Sequence, residues 1–199
     1  NDAPASTRLR VARFALSLLP RLIAALPQRG RLALGRSMGW LMARLLRKRH
    51  RVMRANVAVA FPEWSAAARE ALIETHFRRL GEGIGEGFWG WFGNLERVPE
   101  YRIIGLEHLE AAQARGQGVI LNAAHVGDME LGVYFVSRHA NVHAVYRPNN
   151  NPALDSLIIQ GRKKHLADLI PREDTRRMVR ALRAGGVLWT APDQNYHGK

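Results

Sequence analysis

Short apolar runs alternate with stretches of helical periodicity in the second half of the chain. The apolar runs predict strands at residues 101–104, 118–122, 142–147, 168–170 and 186–191. The periodic stretches predict helices at residues 106–115, 128–138, 153–166 and 173–184. This alternation is typical of βαβ units, so the sequence predicts an α/β fold with a mostly parallel central sheet flanked by helices. Because a loop without a closing helix follows the last strand, we expect the C-terminal part of the fold to be missing from this chain.

The first half of the chain is predicted to be helical. Residues 8–26 form an apolar, arginine-flanked helix with a kink near Pro20. Further helices are predicted at residues 31–60 and 65–80. The segment 81–94 that follows, GEGIGEGFWGWFGN, has two interpretations. It is either a helix end whose aromatic side chains cap the core, or the lining of an apolar slot.

Charge is distributed unevenly along the chain. The net charge is +13, yet no acidic residue lies between Asp2 and Glu63. Residues 1–62, here called the basic segment, hold thirteen lysines and arginines, whereas the remainder is nearly neutral. Such a segment indicates an anionic partner, and its apolar beginning favours a membrane surface.

The predicted helix at residues 8–26 is interrupted by Pro20 and Arg21, so it is no clear membrane-spanning segment. We expect residues 1–30 to form a membrane-anchoring or interfacial helix on an anionic leaflet. The alternative is an ordinary amphipathic helix that packs on the domain.

The amino-acid composition excludes several kinds of catalytic and metal-binding site. The chain has no cysteine, which excludes disulfides, a thiol nucleophile and cysteine-ligated metals. A metal site built from His125, Asp128 and His143 fits no standard ligand spacing, and no metal or cofactor is predicted. The many arginines leave a basic nucleic-acid module as an alternative. No nucleic-acid partner is predicted, because no helix-turn-helix, zinc or aromatic RNA-binding signature is present.

A polar cluster, NAAHVGDMELG at residues 122–132, follows the second predicted strand. His125 therefore lies at the carboxyl end of a strand, where open α/β sheets bind ligands. Two later strand-end loops carry Arg147 and Asp193. All three side chains are predicted to meet at one rim of the sheet.

His125 and Glu130 suggest a base and the group that orients it. Five positions on a helix amount to about 140° of rotation, so the two side chains meet only if a turn at Gly127 separates them. Glu130 would then accept a hydrogen bond from one imidazole nitrogen and leave the other as a general base. Asp128 competes for His125, but its position favours capping the next helix. The alternative is a capped turn with an exposed histidine.

The His-x4-Glu spacing resembles the catalytic box of glycerolipid-type acyltransferases. The wider chain resembles the late, or secondary, acyltransferases of lipid A biosynthesis. The matching segments, in family order, are residues 56–70, 122–132, 145–162 and 185–199. Val126, Asp128 and Met129 depart from the usual box, which has Phe, Asn and Trp there, whereas His125 and Glu130 are kept.

The resemblance implies acyl transfer from acyl carrier protein to a hydroxyacyl chain of a phosphorylated glycolipid, the lipid A precursor. It makes His125 the base, oriented by Glu130, with no metal or covalent intermediate. Arg147 and Arg162 would bind anionic groups, and Asp193 and Gln194 would position substrate or bridge loops. By position alone, Arg162 is better explained as surface charge on a helix. The resemblance, in which an arginine after this helix is functionally important, reverses that preference.

The resemblance also implies a location on the cytoplasmic face of the bacterial inner membrane. Residues 31–199 would be the acyltransferase domain, incomplete at its C-terminus. The enzymatic alternative is a lysophospholipid or glycolipid acyltransferase that uses acyl-coenzyme A.

Overall fold

A computed structural model describes residues 18–98 and 101–193 of the chain. The helices are α1 at residues 18–25, α2 (Gln28–Leu45), α3 (Arg47–Ala60), α4 (Ala66–Phe92), α5 (Leu106–Ala114), α6 (Met129–Ser137), α7 (Pro152–Arg162) and α8 (Thr175–Arg183). The strands are β1 (Val119–Asn122), β2 (Val142–Tyr146), β3 (Asp168–Pro171) and β4 (Val187–Thr190).

The four strands form one parallel sheet in the order β1-β4-β2-β3. Val142 and Val187 lie at the centre of the core, with 1% and 0% of their surface exposed. Leu109 from α5 and Val133 from α6 pack against this sheet core. The predicted α/β fold is confirmed, because βαβ connections place helices on the sheet and bury its apolar strands.

The strand predicted at residues 101–104 is wrong. These residues form no strand, and the side chain of Ile104 is 82% exposed. Tyr101 instead stacks on Phe135 of α6, with ring centroids 4.2 Å apart. The apolar run thus contributes to helix packing rather than to the sheet.

The helix predicted at residues 31–60 is divided at Leu46, whose ψ of 54° leaves the helical range. Its two parts are α2 and α3, and α3 packs on α4. The first predicted helix lies partly outside the described residues, since residues 8–17 are not among them. Within the described ranges, no helix combines the length and apolarity that a membrane crossing requires.

The helix expected to end at residue 80 continues to Phe92. Its glycines do not break it, because several of them lie where another chain segment passes closely. A Cβ on Gly35 of α2 would stand 2.6 Å from the carbonyl oxygen of Gly81, and one on Gly81 would overlap the backbone of α2. Close packing of α2 on α4 therefore outweighs the low helix propensity of glycine.

Arginines of α2 form ion pairs with Glu86 and Glu82 of α4. Arg31 is 5% exposed and donates to Glu86 at 3.1 Å. Glu82 is also 5% exposed and accepts hydrogen bonds from Arg36 at 2.6 Å and Arg79 at 2.8 Å. Burial acts to raise the pKa of Glu82, but the hydrogen bonds from the two arginines outweigh it and the pKa is lowered.

Adding one methyl group at Gly81 tests the α2–α4 contact. We expect Gly81→Ala to destabilise the protein by about 1–3 kcal/mol, because the added carbon has no space between the two backbones. Gly83→Ala, on the same helix, is the matched control, since a Cβ there meets no atom within 4 Å. It should be neutral or stabilising by up to about 1 kcal/mol. Chemical unfolding measures both, and equal effects would contradict the packing.

Candidate functional site

Two neighbouring strands place the candidate base and its partner together. His125 follows β1 and Asp193 follows β4, and these strands are adjacent in the sheet. The imidazole Nδ1 of His125 lies 2.6 Å from Oδ1 of Asp193. The backbone N–H of His125 donates to Oδ2 of the same carboxylate at 2.8 Å. Asp193 thus bridges the two loops and holds His125 at two points.

This contact determines which imidazole nitrogen can act as a base. A carboxylate only accepts hydrogen bonds, so Nδ1 of His125 carries the proton and Nε2 keeps its lone pair. The backbone hydrogen bond from His125 lowers the pKa of Asp193, and the bond from the imidazole adds to this effect. Asp193 is therefore ionised at neutral pH.

The predicted hydrogen bond between Glu130 and His125 is wrong. The Glu130 carboxylate instead accepts from Arg162, with Nη2 at 2.5 Å and Nε at 3.1 and 3.2 Å from the two oxygens. The indole Nε1 of Trp91 donates to the same carboxylate at 2.5 Å. Gly127 does form a turn, with φ of 62°, but the helix after it directs Glu130 towards α4 and α7.

The prediction that Asp128 caps the following helix is confirmed. Its Oδ1 accepts from the backbone N–H groups of Glu130 and Leu131 at 3.1 and 3.2 Å. Its Oδ2 is buried without a hydrogen-bond partner among the described residues. Burial raises the pKa of Asp128 to about 6, and the charges of Glu130 and Glu86 add to this shift, against the two backbone hydrogen bonds.

His125 and Glu130 line one cleft of about 400 Å³ at the carboxyl edge of the sheet. Arg147, Arg162 and Arg172 line the same cleft. Its apolar wall includes side chains from the sheet, from α6 and α7, and from the loop after α7: Val133, Ala144, Ile158, Leu166 and Trp189. A polar rim over an apolar wall suits a ligand with a charged end and a hydrocarbon part.

The cleft thus contains the predicted residues His125, Glu130, Arg147 and Arg162, and Asp193 contacts it through His125. Gln194 lies outside the described residues. Sequence reasoning missed Trp91 as a partner of Glu130, although it singled out the aromatic segment that contains it. No cluster of three His, Asp or Glu side chains in the described ranges could hold a metal ion.

Comparison with known proteins identifies a family. The family model described as bacterial lipid A biosynthesis acyltransferase matches residues 4–199. The lipid A biosynthesis lauroyltransferase of Escherichia coli is 32% identical over 176 residues, which cover 88% of this chain and 58% of that protein.

Two further relatives are similar at the same level. The lipid A biosynthesis palmitoleoyltransferase of Escherichia coli is 34% identical over 83% of this chain and 55% of its own length. A lipid A biosynthesis acyltransferase of Haemophilus influenzae is 34% identical over 83% of this chain and 54% of its own length. The chain spans about half the length of the curated relatives it matches.

Asp128→Asn tests the buried carboxyl group. A raised pKa means that the folded state binds the proton more tightly, so stability falls as pH rises from about 4 to about 6. Asparagine mimics the protonated side chain and also caps helices well. We expect Asp128→Asn to be more stable than the wild type above pH 6, by roughly 1–3 kcal/mol, and equally stable below pH 4.

Asp128→Ala is the control for this comparison. It lacks the cap and should be less stable than Asp128→Asn at every pH, by about 0.5–2 kcal/mol. Urea unfolding between pH 4 and pH 8 measures all three proteins. A difference between wild type and Asp128→Asn that does not change with pH would contradict the assignment.

Proposed function

Because the chain belongs to the family of bacterial lipid A biosynthesis acyltransferases, we propose that the full-length protein transfers a fatty acyl chain to a hydroxyl of a lipid A precursor. The observation that carries this proposal is the His125–Asp193 pair at the edge of a cleft with an apolar wall. This arrangement suits the deprotonation of a hydroxyl group next to a hydrocarbon chain.

The proposed reaction needs only one base. Nε2 of His125 takes the proton of the acceptor hydroxyl group, and the hydroxyl oxygen attacks the carbonyl carbon of an acyl thioester. The new C–O bond forms, the C–S bond breaks, and the imidazolium returns the proton to the departing sulfur. Asp193 stabilises the imidazolium, and general-base assistance of this kind contributes roughly 100- to 10,000-fold to the rate.

The arginines of the cleft suit anionic groups of the substrates. Arg162 directs Nε and Nη2 at Glu130, so its position is fixed before a substrate arrives. Arg147 and Arg172 line the same cleft, and a guanidinium binds phosphate or carboxylate through paired hydrogen bonds. We therefore assign Arg147 and Arg162 to phosphate or other anionic groups of the acceptor and the donor. Acyl carrier protein is the proposed donor.

The proposed location is the cytoplasmic face of the bacterial inner membrane. The basic segment supplies positive charge, and α1 exposes Leu19 and Leu22, which are 59% and 56% accessible. Exposed leucines next to arginines favour the interface of an anionic leaflet. This location would bring the cleft to an acceptor that is itself a lipid.

The mechanism predicts that His125 and Asp193 act together. We expect His125→Ala and Asp193→Asn each to lower the turnover of the full-length protein at least about 100-fold. Asparagine would leave the side chain in place but would no longer hold the proton on Nδ1. His108→Ala is the matched control, because that histidine is 88% exposed and lies outside the cleft. Acyl transfer from a carrier-protein thioester, followed by mass spectrometry, measures the rates.

Near-normal turnover of Asp193→Asn would contradict the role of Asp193. Near-normal turnover of His125→Ala would exclude the mechanism itself. A loss of activity in His108→Ala as large as in the site variants would indicate that the assay reports general loss of folded protein.

The membrane proposal predicts a specific loss of affinity. Replacing Arg8, Arg10 and Arg13 with glutamine should weaken binding to anionic vesicles at least ten-fold, since each arginine near such a surface contributes about 1 kcal/mol. Binding to neutral vesicles should hardly change. The same three-charge change in α8, at Arg176, Arg180 and Arg183, is the control. Vesicle co-sedimentation measures both, and equal losses would show that only net charge matters.

A further inference from the structure

The carboxylate of Glu130 is shared by three helices. Glu130 is on α6, Arg162 ends α7, and Trp91 is the penultimate residue of α4. Oε1 of Glu130 lies 2.5 Å from Nη2 of Arg162, while Oε2 accepts from Nε1 of Trp91 at 2.5 Å. The Glu130 side chain is only 16% exposed. Its orientation is therefore set by these two residues rather than by water.

Glycines on two helices make room for this arrangement. A Cβ on Gly161, directly before Arg162, would overlap the Trp91 side chain. A Cβ on Gly90 would lie 3.4 Å from Cβ of Glu130, so α4 approaches α6 closely there. Trp91 thus fits into a space that the backbone of α7 leaves open, and its ring places the N–H group against Glu130.

The position of Arg162 in the cleft depends on Glu130. The guanidinium is 27% exposed and lines the cleft, with Nε and Nη2 directed at the carboxylate. Among the described residues, Nη1 of Arg162 donates no hydrogen bond. The two N–H groups of Nη1 and the second N–H group of Nη2 therefore remain as donors for a ligand in the cleft. Their direction is set by the contact of Nε and Nη2 with Glu130.

We propose that Trp91 is a positioning residue for the acyl transfer reaction. Its indole N–H fixes the carboxylate of Glu130, and Glu130 fixes the guanidinium of Arg162 at the wall of the cleft. The proposal rests on the proposed function, because it takes this cleft as the place of reaction. Without the N–H donor, the carboxylate has one partner fewer and rotates, and Arg162 moves with it.

Two replacements of Trp91 distinguish the effect of its N–H donor from the effect of the packing of its ring. Trp91→Phe keeps an aromatic ring against Gly161 but removes the donor. Replacing Trp91 with benzothienylalanine keeps the size of the ring almost unchanged and puts sulfur in place of N–H. If Trp91 only fills space, the second replacement has no effect on catalysis.

Steady-state kinetics of the full-length protein test the proposal. For both replacements we expect kcat to fall roughly ten-fold or more, because a small displacement of a positioning group affects the transition state strongly. KM for both substrates should change less than about three-fold, since ground-state binding tolerates the displacement better. Trp89→Phe is the matched control, because Trp89 is on the same helix but stacks on Arg31, whereas Trp91 is the donor to Glu130. It should keep the wild-type kcat.

Wild-type kcat in the benzothienylalanine protein would overturn the proposal. An equal loss in Trp89→Phe and Trp91→Phe would also overturn it, because the effect would then come from packing of α4 in general.

An NMR measurement tests the hydrogen bond between Trp91 and Glu130 without relying on the proposed function. The chain has five tryptophans, so the indole N–H resonances are few, and Trp91→Phe identifies the one that belongs to Trp91. We expect Glu130→Gln to shift that resonance upfield, since a neutral amide is a weaker acceptor than a carboxylate. An unchanged resonance would exclude the contact. Absence of acyl transfer in the wild type would reject the proposed function, and the resonance would then decide the Trp91 contact alone.

Discussion

The carboxylate of Glu130 is the constraint on which the candidate site depends. It joins α4, α6 and α7 at the carboxyl edge of the sheet through Arg162 and Trp91. A half-buried ion pair contributes little net stability, but removing one partner leaves an uncompensated charge and is costly. The Glu130–Arg162 pair therefore mainly fixes how the three helices are arranged. Few arrangements of these helices let Glu130 accept from both Arg162 and Trp91.

The strand order explains why the other half of the site assembles. In the order β1-β4-β2-β3, the last strand lies between the first two in the chain. The loops after β1, β4 and β2 are therefore neighbours, and they carry His125, Asp193 and Arg147. His125 and Asp193 are 68 positions apart in sequence, yet parallel pairing brings their loops to the same edge.

Sequence patterns could predict most of the sheet because its strands and helices have different periods. The four strands and the helices between them lie close to their predicted positions, since buried parallel strands are continuous apolar runs. The strand predicted at residues 101–104 shows the limit of this reasoning. An apolar run of that length also suits a segment that packs on a helix, as Tyr101 does on Phe135.

The partners of the site residues could not be predicted from spacing. His125 and Glu130 are close in sequence, but the turn at Gly127 and the capped start of α6 rotate Glu130 away from the imidazole. The carboxylate that contacts the imidazole is Asp193. Sequence reasoning placed Asp193 at the same rim and expected it to position substrate or bridge loops, but did not pair it with His125. The C-terminal half of α4 was equally hard to predict, because glycine weakens a helix and also permits close packing of helices. Only the presence of the neighbouring helix α2 decides which of these two effects prevails.

Helix α4 forms ion pairs with several arginines of the basic segment, and this changes how the charge of that segment is interpreted. Its charge suggested a surface for anionic lipids along its whole length. Yet Arg31 and Arg36 pair with the α4 carboxylates Glu86 and Glu82, and Arg54 pairs with Glu70 of the same helix. These arginines join α2 and α3 to α4, so part of the charge is structural. An electrostatic argument for membrane binding therefore rests on the arginines outside this interface, and the number of charges in the sequence overstates the attraction.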